Sequence, residues 1–330
     1  MTDQLLGLDS SPFKYDEAML QTRQLIAEIL QKSPLVIRQY TAYLAESSGK
    51  MLRAASVLIC AQDDDLNIPV SAVQMAAAIE LVHLATLVHD DVIDNADLRR
   101  GKPTLRKAFG NKTAVICGDY LLSKSLRLVS ALPDPGKYLD RKFHDYISYL
   151  CLGELNQLVN NSNFNLTPLQ YFRIINGKTA ALFEASFLAG AVTGELSDSD
   201  LKKYSRLGHI IGMIFQLTDD CLDFEADLSV AGKNVQTDYE QNVVTLPLVF
   251  ALKADPAFKN DIAAAESRGE KMPRSVINQL VIKDRGLFKT HQIVHDYGNK
   301  AQHLLDQLVM PAKKRADLEL LLKKAMRSAS

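Results

Sequence analysis

The residues best suited to chemistry in this chain of 330 residues are two groups of aspartates. "HDDVID" at 89–94 and "TDDCLD" at 218–223 both spell Asp-Asp-x-x-Asp at the end of a long apolar segment. Residues three and four apart share one face of a helix. Asp90 and Asp94 are therefore predicted to point the same way, and Asp91 to point aside.

The second group extends to a glutamine, because Gln216, Asp219 and Asp223 form one helical stripe. Carboxylates crowded on an apolar helix repel one another and take up protons unless a cation is present. Mg2+ suits such a place, since it has few protein ligands and shares its shell with substrate phosphates. One motif alone is more often a solvated helix end, and "AQDDDLNIP" at 61–69 is interpreted as a surface loop. Two copies favour a metal site.

Basic residues supply the other half of a diphosphate site. Arg99 and Arg100 follow the first aspartate group, and Gly101 is predicted to turn the chain. Arginine offers phosphate a bidentate fork. Lys178 and Thr179 are predicted to start a helix, where free N–H groups also favour an anion. Further basic residues lie in loops or at loop–helix junctions: Lys50, Arg53 and Lys233. Together they predict a pocket for two phosphorylated ligands.

The elements that must position these residues are helices. Apolar residues recur at three- and four-residue spacing over 16–30, 71–94, 178–192 and 201–224, whereas two-residue alternation is almost absent. Only 16 Gly and 11 Pro interrupt the chain, and they cluster in short loops. The sequence therefore predicts an all-α bundle. Because no Pro/Gly/Ser linker divides it, we expect a single domain over 1–330.

Composition and charge argue against several classes of protein. Hydrophobic residues make up 47% and the net charge is -1, which predicts a large core and no nucleic-acid or anionic-membrane partner. The four cysteines form no CxxC pair, so each is predicted to be a buried free thiol in a reducing compartment. No signal peptide and no uninterrupted apolar run of about 18 residues is visible. We expect a cytoplasmic protein without a transmembrane segment.

With both motifs in place, the sequence resembles the trans-isoprenyl diphosphate synthases of the polyprenyl synthetase family, most closely the medium- and long-chain members. The likeness is clear from about residue 45 to 250. Besides the aspartate motifs it includes further landmarks in order: "GDYLL" at 118–122, "GE" at 153–154, "GKTA" at 177–180 and "TLPL" at 245–248. The resemblance implies an isoprenoid synthase fold, with antiparallel helices around a deep central cavity, and usually a homodimer.

The resemblance also assigns roles to individual residues. Mg2+ ions that bridge an allylic diphosphate would be held by Asp90, Asp94 and Asp219, with Asp223 assisting through water. The allylic diphosphate would contact Arg99, Lys178, Thr179, Gln216 and Lys233. Isopentenyl diphosphate would contact Lys50, Arg53, His83 and Arg100. The catalytic residues implied are Asp90, Asp94, Asp219, Lys178 and Arg99.

In such enzymes the metal and the cationic side chains stabilise charge on the departing pyrophosphate, so the allylic C–O bond ionises. The double bond of isopentenyl diphosphate attacks the carbocation and a proton is lost. The fourth and fifth residues before the first motif form the floor of the family's cavity, and here they are the small residues Thr86 and Ala85. We therefore expect a medium- or long-chain polyprenyl diphosphate as product.

Two departures from the family pattern bear on affinity and chain length. The usual Gly-Gly-Lys-Arg-x-Arg reads Ser-Gly-Lys-Met-Leu-Arg, so Met51 replaces a basic residue, and Asn-Val-Val at 242–244 replaces a Gly-Lys pair. A class I terpene cyclase would differ in the second motif, and a non-catalytic regulatory subunit would have lost one motif. Two alternatives stay open: a short-chain (farnesyl or geranylgeranyl) synthase, and the catalytic subunit of a heteromeric heptaprenyl diphosphate synthase with a small partner.

Overall fold

The structure is a computed structural model that describes residues 11–45, 49–229 and 238–327. Nearly all regular structure in these residues is helical, which confirms the predicted all-α class. The helices are α1 Tyr15–Gln31, α2 Leu35–Ala45, α3 Leu52–Cys60, α4 Val70–Ile93, α5 Leu105–Phe109, α6 Asn111–Ser130, α7 Gly136–Leu139, α8 Asp145–Val159, α9 Pro168–Ile175, α10 Ala181–Thr193, α11 Asp198–Ser229, α12 Leu246–Ala254, α13 Phe258–Ser267, α14 Arg274–Lys283, α15 Gly286–Asp306 and α16 Ala312–Met326. A π-helical turn, Asn176–Ala180, joins α9 to α10.

One short hairpin, β1 Leu98–Arg99 and β2 Lys102–Pro103, follows the first aspartate group. Its two-residue turn has φ of 52° at Arg100 and 76° at Gly101. Two consecutive positive φ angles give the turn whose twist matches antiparallel strands, and glycine adopts such angles without strain. The predicted chain reversal at Gly101 is therefore confirmed.

The chain forms two compact units. Unit 1 contains the described residues up to Phe143 together with Ala185–Ser205 and Leu308–Leu318, and unit 2 contains His144–Glu184, Arg206–Gln307 and the described residues from Glu319 onward. The first aspartate group belongs to unit 1 and the second to unit 2. The single-domain expectation for residues 1–330 stays a prediction.

Helix α4 forms the centre of unit 1, where it packs against α1, α3 and α6. Its first half is buried almost without interruption, and even Glu80 is enclosed, with its carboxylate accepting from the Ala54 N–H at 2.9 Å. Among the described residues α4 is the one helix long and apolar enough to cross a membrane, and 61% of its apolar window is buried inside the protein. A core helix passes the same test of length and composition, so this is weak support for a membrane span.

In unit 2, α8 lies directly against the π-helical turn. A Cβ added to Gly153 would stand 2.2 Å from the Lys178 backbone nitrogen, and one added to Gly177 would stand 2.7 Å from the Tyr149 carbonyl oxygen. Both contacts are far inside van der Waals separation, so the two glycines are required for this close approach. The Gly-Glu and Gly-Lys landmarks of the sequence therefore meet in space.

Three of the four cysteines, Cys60, Cys117 and Cys221, are buried free thiols as predicted. The prediction is wrong for Cys151, which is exposed on α8. Its neighbours Leu152 and Leu155 are each more than half exposed as well. The apolar sequence around Cys151 therefore belongs to a helix surface and not to the core.

Candidate active site

The first aspartate group lies at the C-terminal end of α4, with Asp94 as the cap residue. Asp90 and Asp94 are partly exposed, whereas Asp91 is only 5% exposed. Arg99 of β1 donates to the Asp91 carboxylate, with its Nε and Nη2 atoms 2.9 and 2.8 Å from Oδ1. Burial raises the pKa of Asp91, and the Arg99 guanidinium opposes that shift. Arg99 is thus fixed beside the motif by its second aspartate.

The hairpin that carries the arginines is anchored to α5. Asp97 accepts from Arg106 at 3.0 Å and from Lys107 at 2.8 Å, and the hydrogen bond from Lys107 lowers the pKa of Asp97. Thr104 caps α5 by accepting from the Lys107 N–H, and its hydroxyl donates to the Ala96 carbonyl at 2.7 Å. These bonds set the position of Arg99 and Arg100 relative to the end of α4.

A second cationic group in unit 1 surrounds His83. Arg53, in the first turn of α3, has its Nη1 atom 3.0 Å from His83 Nε2. Burial and then the charge of Arg53 lower the pKa of His83 well below 6.5, with smaller contributions from Arg99 and Arg100. The ring is therefore neutral, and because a guanidinium can only donate, Nε2 is the acceptor and Nδ1 carries the proton.

Lys50 and Arg100 lie near the same loop. Lys50 is exposed just before α3, whose N-cap residue Met51 has a left-handed φ of 53°. The Arg100 guanidinium lies beside Gly49, where an added Cβ would be 3.5 Å from Nη1. The structure of unit 1 thus gathers Lys50, Arg53, His83, Arg99 and Arg100 around the loop before α3 and the end of α4.

The second aspartate group lies on α11 and divides in the same way. Asp219 is exposed and Asp223 is partly buried, but Asp220 is only 2% exposed. Tyr171 donates to Asp220 Oδ2, and Gln216 Nε2 donates to Asp220 Oδ1 at 2.7 Å. Burial raises the pKa of Asp220 to about 7, and the negative charges of Asp219 and Asp223 act in the same direction.

Asp223 has partners from the protein itself. Its Oδ2 accepts the Asp238 N–H at 3.2 Å, its backbone carbonyl accepts from Arg274 Nη2 at 3.0 Å, and the same Nη2 atom is 4.0 Å from Oδ1. Asp238 is partly buried beside these carboxylates, and burial together with the charge of Asp220 raises its pKa well above 3.8. Burial and neighbouring carboxylates therefore raise the pKa values of both Asp220 and Asp238.

Lys178 and Thr179 do not start a helix, so that prediction is wrong. They lie within the π-helical turn, where the chain runs on from α9 into α10 and backbone N–H groups are used inside the helix. Lys178 Nζ instead binds Glu154 Oε2 at 3.0 Å, and Thr179 Oγ1 donates to Gln216 Oε1 at 2.6 Å. Anion binding at this turn would therefore use side chains and not a helix N-terminus.

The remaining predicted residues are placed as follows. Ala85 is fully buried in α4, in a core cluster with residues such as Leu81 and Val88. Thr86 is partly buried and donates to the His83 carbonyl at 2.8 Å. Lys233 lies outside the described residues. The sequence analysis missed Glu154, Tyr171, Asp220, Asp238 and Arg274, of which only Asp220 belonged to one of the two aspartate groups.

The donor groups fit a hard divalent cation that is shared with a ligand. Within the described ranges, no three His, Cys, Asp or Glu side chains are gathered into a metal site by the protein alone. Mg2+ does not require such a site, since it completes its shell with water and substrate oxygens. The carboxylates of unit 2, whose burial and mutual repulsion raise the pKa values of Asp220 and Asp238, are an environment that a cation would stabilise.

Comparison with known proteins identifies the family. The Polyprenyl synthetase family model matches residues 34–281. The chain is 35% identical over 268 residues to heptaprenyl diphosphate synthase component 2 of Geobacillus stearothermophilus, which covers 81% of this chain and 82% of that protein. The crystal structure of a decaprenyl diphosphate synthase from Rhodobacter capsulatus superposes with a TM-score of 0.86 at 30% identity, covering 96% of this chain and 97% of that one.

A further solved structure contains ligands. It is a polyprenyl synthase from Caulobacter crescentus CB15, complexed with calcium and isoprenyl diphosphate, and it matches with a TM-score of 0.80 at 28% identity over 99% of this chain and 97% of that one. The chain therefore belongs to the polyprenyl synthetase family. It is a prenyltransferase that elongates polyprenyl diphosphates. Similar proteins are named for products from geranylgeranyl to decaprenyl diphosphate.

Proposed function

We propose that this enzyme condenses an allylic diphosphate with isopentenyl diphosphate, head to tail and with Mg2+, to make a medium- or long-chain polyprenyl diphosphate. The observation that carries the proposal is common to both units. Each contains a helix with an Asp-Asp-x-x-Asp motif whose second aspartate is buried and whose first and last aspartates are more exposed. Each also has cationic side chains close to that motif.

In this proposal Asp90, Asp94 and Asp219 bind Mg2+ through their carboxylate oxygens. When bound, Mg2+ supplies stabilisation of the negative charge that develops on the departing pyrophosphate. Asp223 takes a lesser role through water, because the Asp238 N–H and Arg274 already engage it. The similar enzyme from Caulobacter crescentus CB15 is complexed with calcium and isoprenyl diphosphate, which supports a divalent cation and a diphosphate as ligands of this fold.

The allylic diphosphate is assigned to Lys178, Thr179 and Gln216 in unit 2, with Arg99 and Lys233 as further contacts. Lys178 Nζ lies 3.0 Å from Glu154 Oε2, and this pairing holds its amine in one place for a diphosphate. Gln216 uses one N–H on Asp220 and has a second N–H to offer a phosphate oxygen. These donors suit the anionic diphosphate group of the substrate.

Isopentenyl diphosphate is assigned to Lys50, Arg53, His83 and Arg100 in unit 1. Neutral His83 accepts from Arg53 and thereby fixes the plane of the guanidinium without adding a competing positive charge. Arg100 projects from the hairpin turn, and its guanidinium lies beside Gly49 in the same loop as Lys50. Met51 adds no charge here, so the group contains one cation fewer than the family pattern.

Product length is proposed to depend on the small residues Ala85 and Thr86. Thr86→Phe is the sharper test, because Ala85 is fully enclosed and a larger residue there would disturb the core. We expect Thr86→Phe to shorten the main product, and Thr86→Val, which has nearly the same volume, to leave its length unchanged. Equal product lengths from the two variants would exclude Thr86 from the floor.

We propose that a second copy of the chain covers the exposed face of α8. Apolar side chains recur there at three-residue spacing, each about half exposed or more: Tyr149, Leu152, Leu155, Leu158 and Val159. Such a stripe is typical of a subunit interface, and a two-fold homodimer is the commonest solution. Leu152→Glu with Leu155→Glu should convert a dimer to monomers in sedimentation velocity. The Geobacillus stearothermophilus relative is named "component 2", so a small partner subunit should be tested as well.

We also propose that the enzyme is cytoplasmic.

The test of the proposed function is incubation of the purified chain with Mg2+, radiolabelled isopentenyl diphosphate and farnesyl diphosphate. We expect extracted products longer than geranylgeranyl diphosphate, with no turnover in EDTA. Products that stop at geranylgeranyl would show the short-chain alternative to be correct. Absence of extension from any allylic starter, restored by a co-expressed small protein, would show that the chain is the catalytic subunit of a heteromer.

A further inference from the structure

A chain of four hydrogen-bonded side chains lies beside the second aspartate group, entirely within unit 2. Tyr171 donates to Asp220 Oδ2, Gln216 Nε2 donates to Asp220 Oδ1 at 2.7 Å, and Thr179 Oγ1 donates to Gln216 Oε1 at 2.6 Å. Tyr171 is 3% exposed and Asp220 is 2% exposed. Neither inner residue is placed to touch a substrate, so their effect must act through Gln216 and Thr179.

The order of donors along this chain is fixed by chemistry. Ionised Asp220 only accepts, so Gln216 presents its amide nitrogen to Asp220, and its oxygen is left for the Thr179 hydroxyl. Tyr171 occupies the other carboxylate oxygen and prevents Asp220 from turning toward another donor. Without Asp220, the amide of Gln216 could rotate by half a turn and present its oxygen where its free N–H now points.

The network also holds the π-helical turn in place. Thr179 and Lys178 belong to the π-helical turn, and single π turns are rare, less regular than α-helix and often found at functional sites. Tyr171 lies on α9, which leads directly into that turn, and Gln216 and Asp220 lie on α11. The four side chains therefore tie α9, the π-helical turn and α11 together.

We propose that Tyr171 and Asp220 are positioning residues for the allylic diphosphate: together they hold Gln216, and through it Thr179 and the π-helical turn with Lys178, in the arrangement that receives this substrate. The inference rests on the proposed function, since it assumes that these three residues contact the allylic diphosphate. It predicts a loss confined to one of the two substrates.

Tyr171→Phe tests it by removing only the hydroxyl. A lost hydrogen bond to a buried carboxylate corresponds to about a tenfold change in an equilibrium constant. We expect the KM for the allylic diphosphate to rise about tenfold, while the KM for isopentenyl diphosphate stays within about twofold. Calorimetric titration with pyrophosphate and Mg2+ should show a similar weakening.

Tyr138→Phe is the matched control. Tyr138 is 1% exposed and its hydroxyl is bonded to Thr193 Oγ1 at 2.8 Å, within unit 1. A similar fall in Tm with no change in either KM is expected, which separates positioning from the general loss of a buried hydroxyl. An equal rise in allylic KM in the control would overturn the proposal.

Other outcomes would contradict the positioning role or the function on which it rests. If wild type elongates the substrate and Tyr171→Phe keeps its allylic KM, or if the variant raises both KM values equally, the positioning role is wrong. If Tyr171→Phe does not fold, Asp220→Asn replaces it, with at least the same rise in allylic KM expected and an unchanged value counting against the proposal. A wild type that stays inactive with every allylic starter, even with a co-expressed small partner, would instead refute the function on which the proposal rests.

Discussion

In the first aspartate motif the second aspartate, Asp91, is paired with Arg99, whereas in the second motif the corresponding Asp220 is held by Tyr171 and Gln216. Both aspartates are buried, at 5% and 2% exposure. The same motif therefore produces the same division in both units, in which the second aspartate faces inward and the first and last aspartates are more exposed. What differs is the compensation, which is a cation in unit 1 and neutral donors in unit 2.

This difference predicts which of the two units a bound metal ion would stabilise more. Unit 1 supplies Arg99 to Asp91 and Arg106 with Lys107 to Asp97. In unit 2, burial and neighbouring carboxylates raise the pKa values of Asp220 and Asp238. A divalent cation would remove more unfavourable energy from unit 2, because opposite charge favours the ionised carboxylates.

The largest effect is expected from the exposed aspartates of the motifs. Asp90→Ala and Asp219→Ala should each lower kcat/KM about a hundredfold or more, because each removes an anchor for charge stabilisation of the leaving group. Asp64→Ala is the control, since Asp64 is an exposed loop aspartate in unit 1 and should change kcat/KM by less than about twofold. Steady-state kinetics with excess Mg2+ provides the measurement. Full activity of both motif variants would reject the metal assignment.

A smaller effect is expected from the glycine beneath the π-helical turn. A Cβ at Gly177 would lie 2.7 Å from the Tyr149 carbonyl oxygen and 2.8 Å from Gly153 Cα, both backbone atoms. Gly177→Ala should therefore lower the free energy of unfolding by about 2 kcal/mol through overpacking. Chemical denaturation measures this, and the allylic KM should rise because Lys178 and Thr179 move with the turn. A variant with unchanged stability and unchanged KM would mean that α8 can move away from the turn without loss of folding free energy.

The same glycine shows why part of the site could not be predicted from sequence. Its local pattern suggested a helix start before Lys178, but its role is to let Gly153 approach from another helix, which is a tertiary contact. Tyr171 and Asp220 are 49 residues apart, and nothing in the local pattern around Tyr171 points to a carboxylate. Helices, by contrast, follow from local periodicity, and α4 and α11 lie where the apolar spacing predicted them.

Exposure was the other property that local sequence did not decide. The apolar context of Cys151 predicted burial, yet α8 presents that side to the surface together with Leu152 and Leu155. A helix with two apolar faces gives no local sign of which face the core takes. The Gly101 turn was predictable, because its conformation depends only on two adjacent φ angles.

Asp220 in unit 2 and Asp97, which Arg106 and Lys107 hold in unit 1, should show opposite pH dependence of stability, measured in EDTA. The pKa of Asp220 is raised from 3.8 to about 7, so the folded protein holds that proton more tightly and loses stability as pH rises through this interval. Asp220→Asn should therefore become progressively more stable relative to wild type as pH rises from about 4 to 7. The pKa of Asp97 is lowered, chiefly by Lys107, so its contribution is present above 3.8 and is lost as pH falls.

Asp97→Asn should accordingly be less stable than wild type at neutral pH, and the difference should close in acid. Urea denaturation at several pH values gives both curves. Curves with the same sign would contradict the opposite pKa shifts of Asp220 and Asp97.

The smallest effect is expected at the hairpin that carries the arginines. Gly101 has a φ of 76°, and a Cβ added there would meet no described atom within 4 Å, so Gly101→Ala meets only backbone strain of about 1 kcal/mol. Because Arg99 is also held by Asp91, its position should survive, whereas Arg100 has its own φ of 52° and depends on the turn. We therefore expect a small loss of stability with a rise in the KM for isopentenyl diphosphate and not for the allylic substrate. A rise in the allylic KM instead would show that Arg99 is positioned by the turn more than by its aspartate.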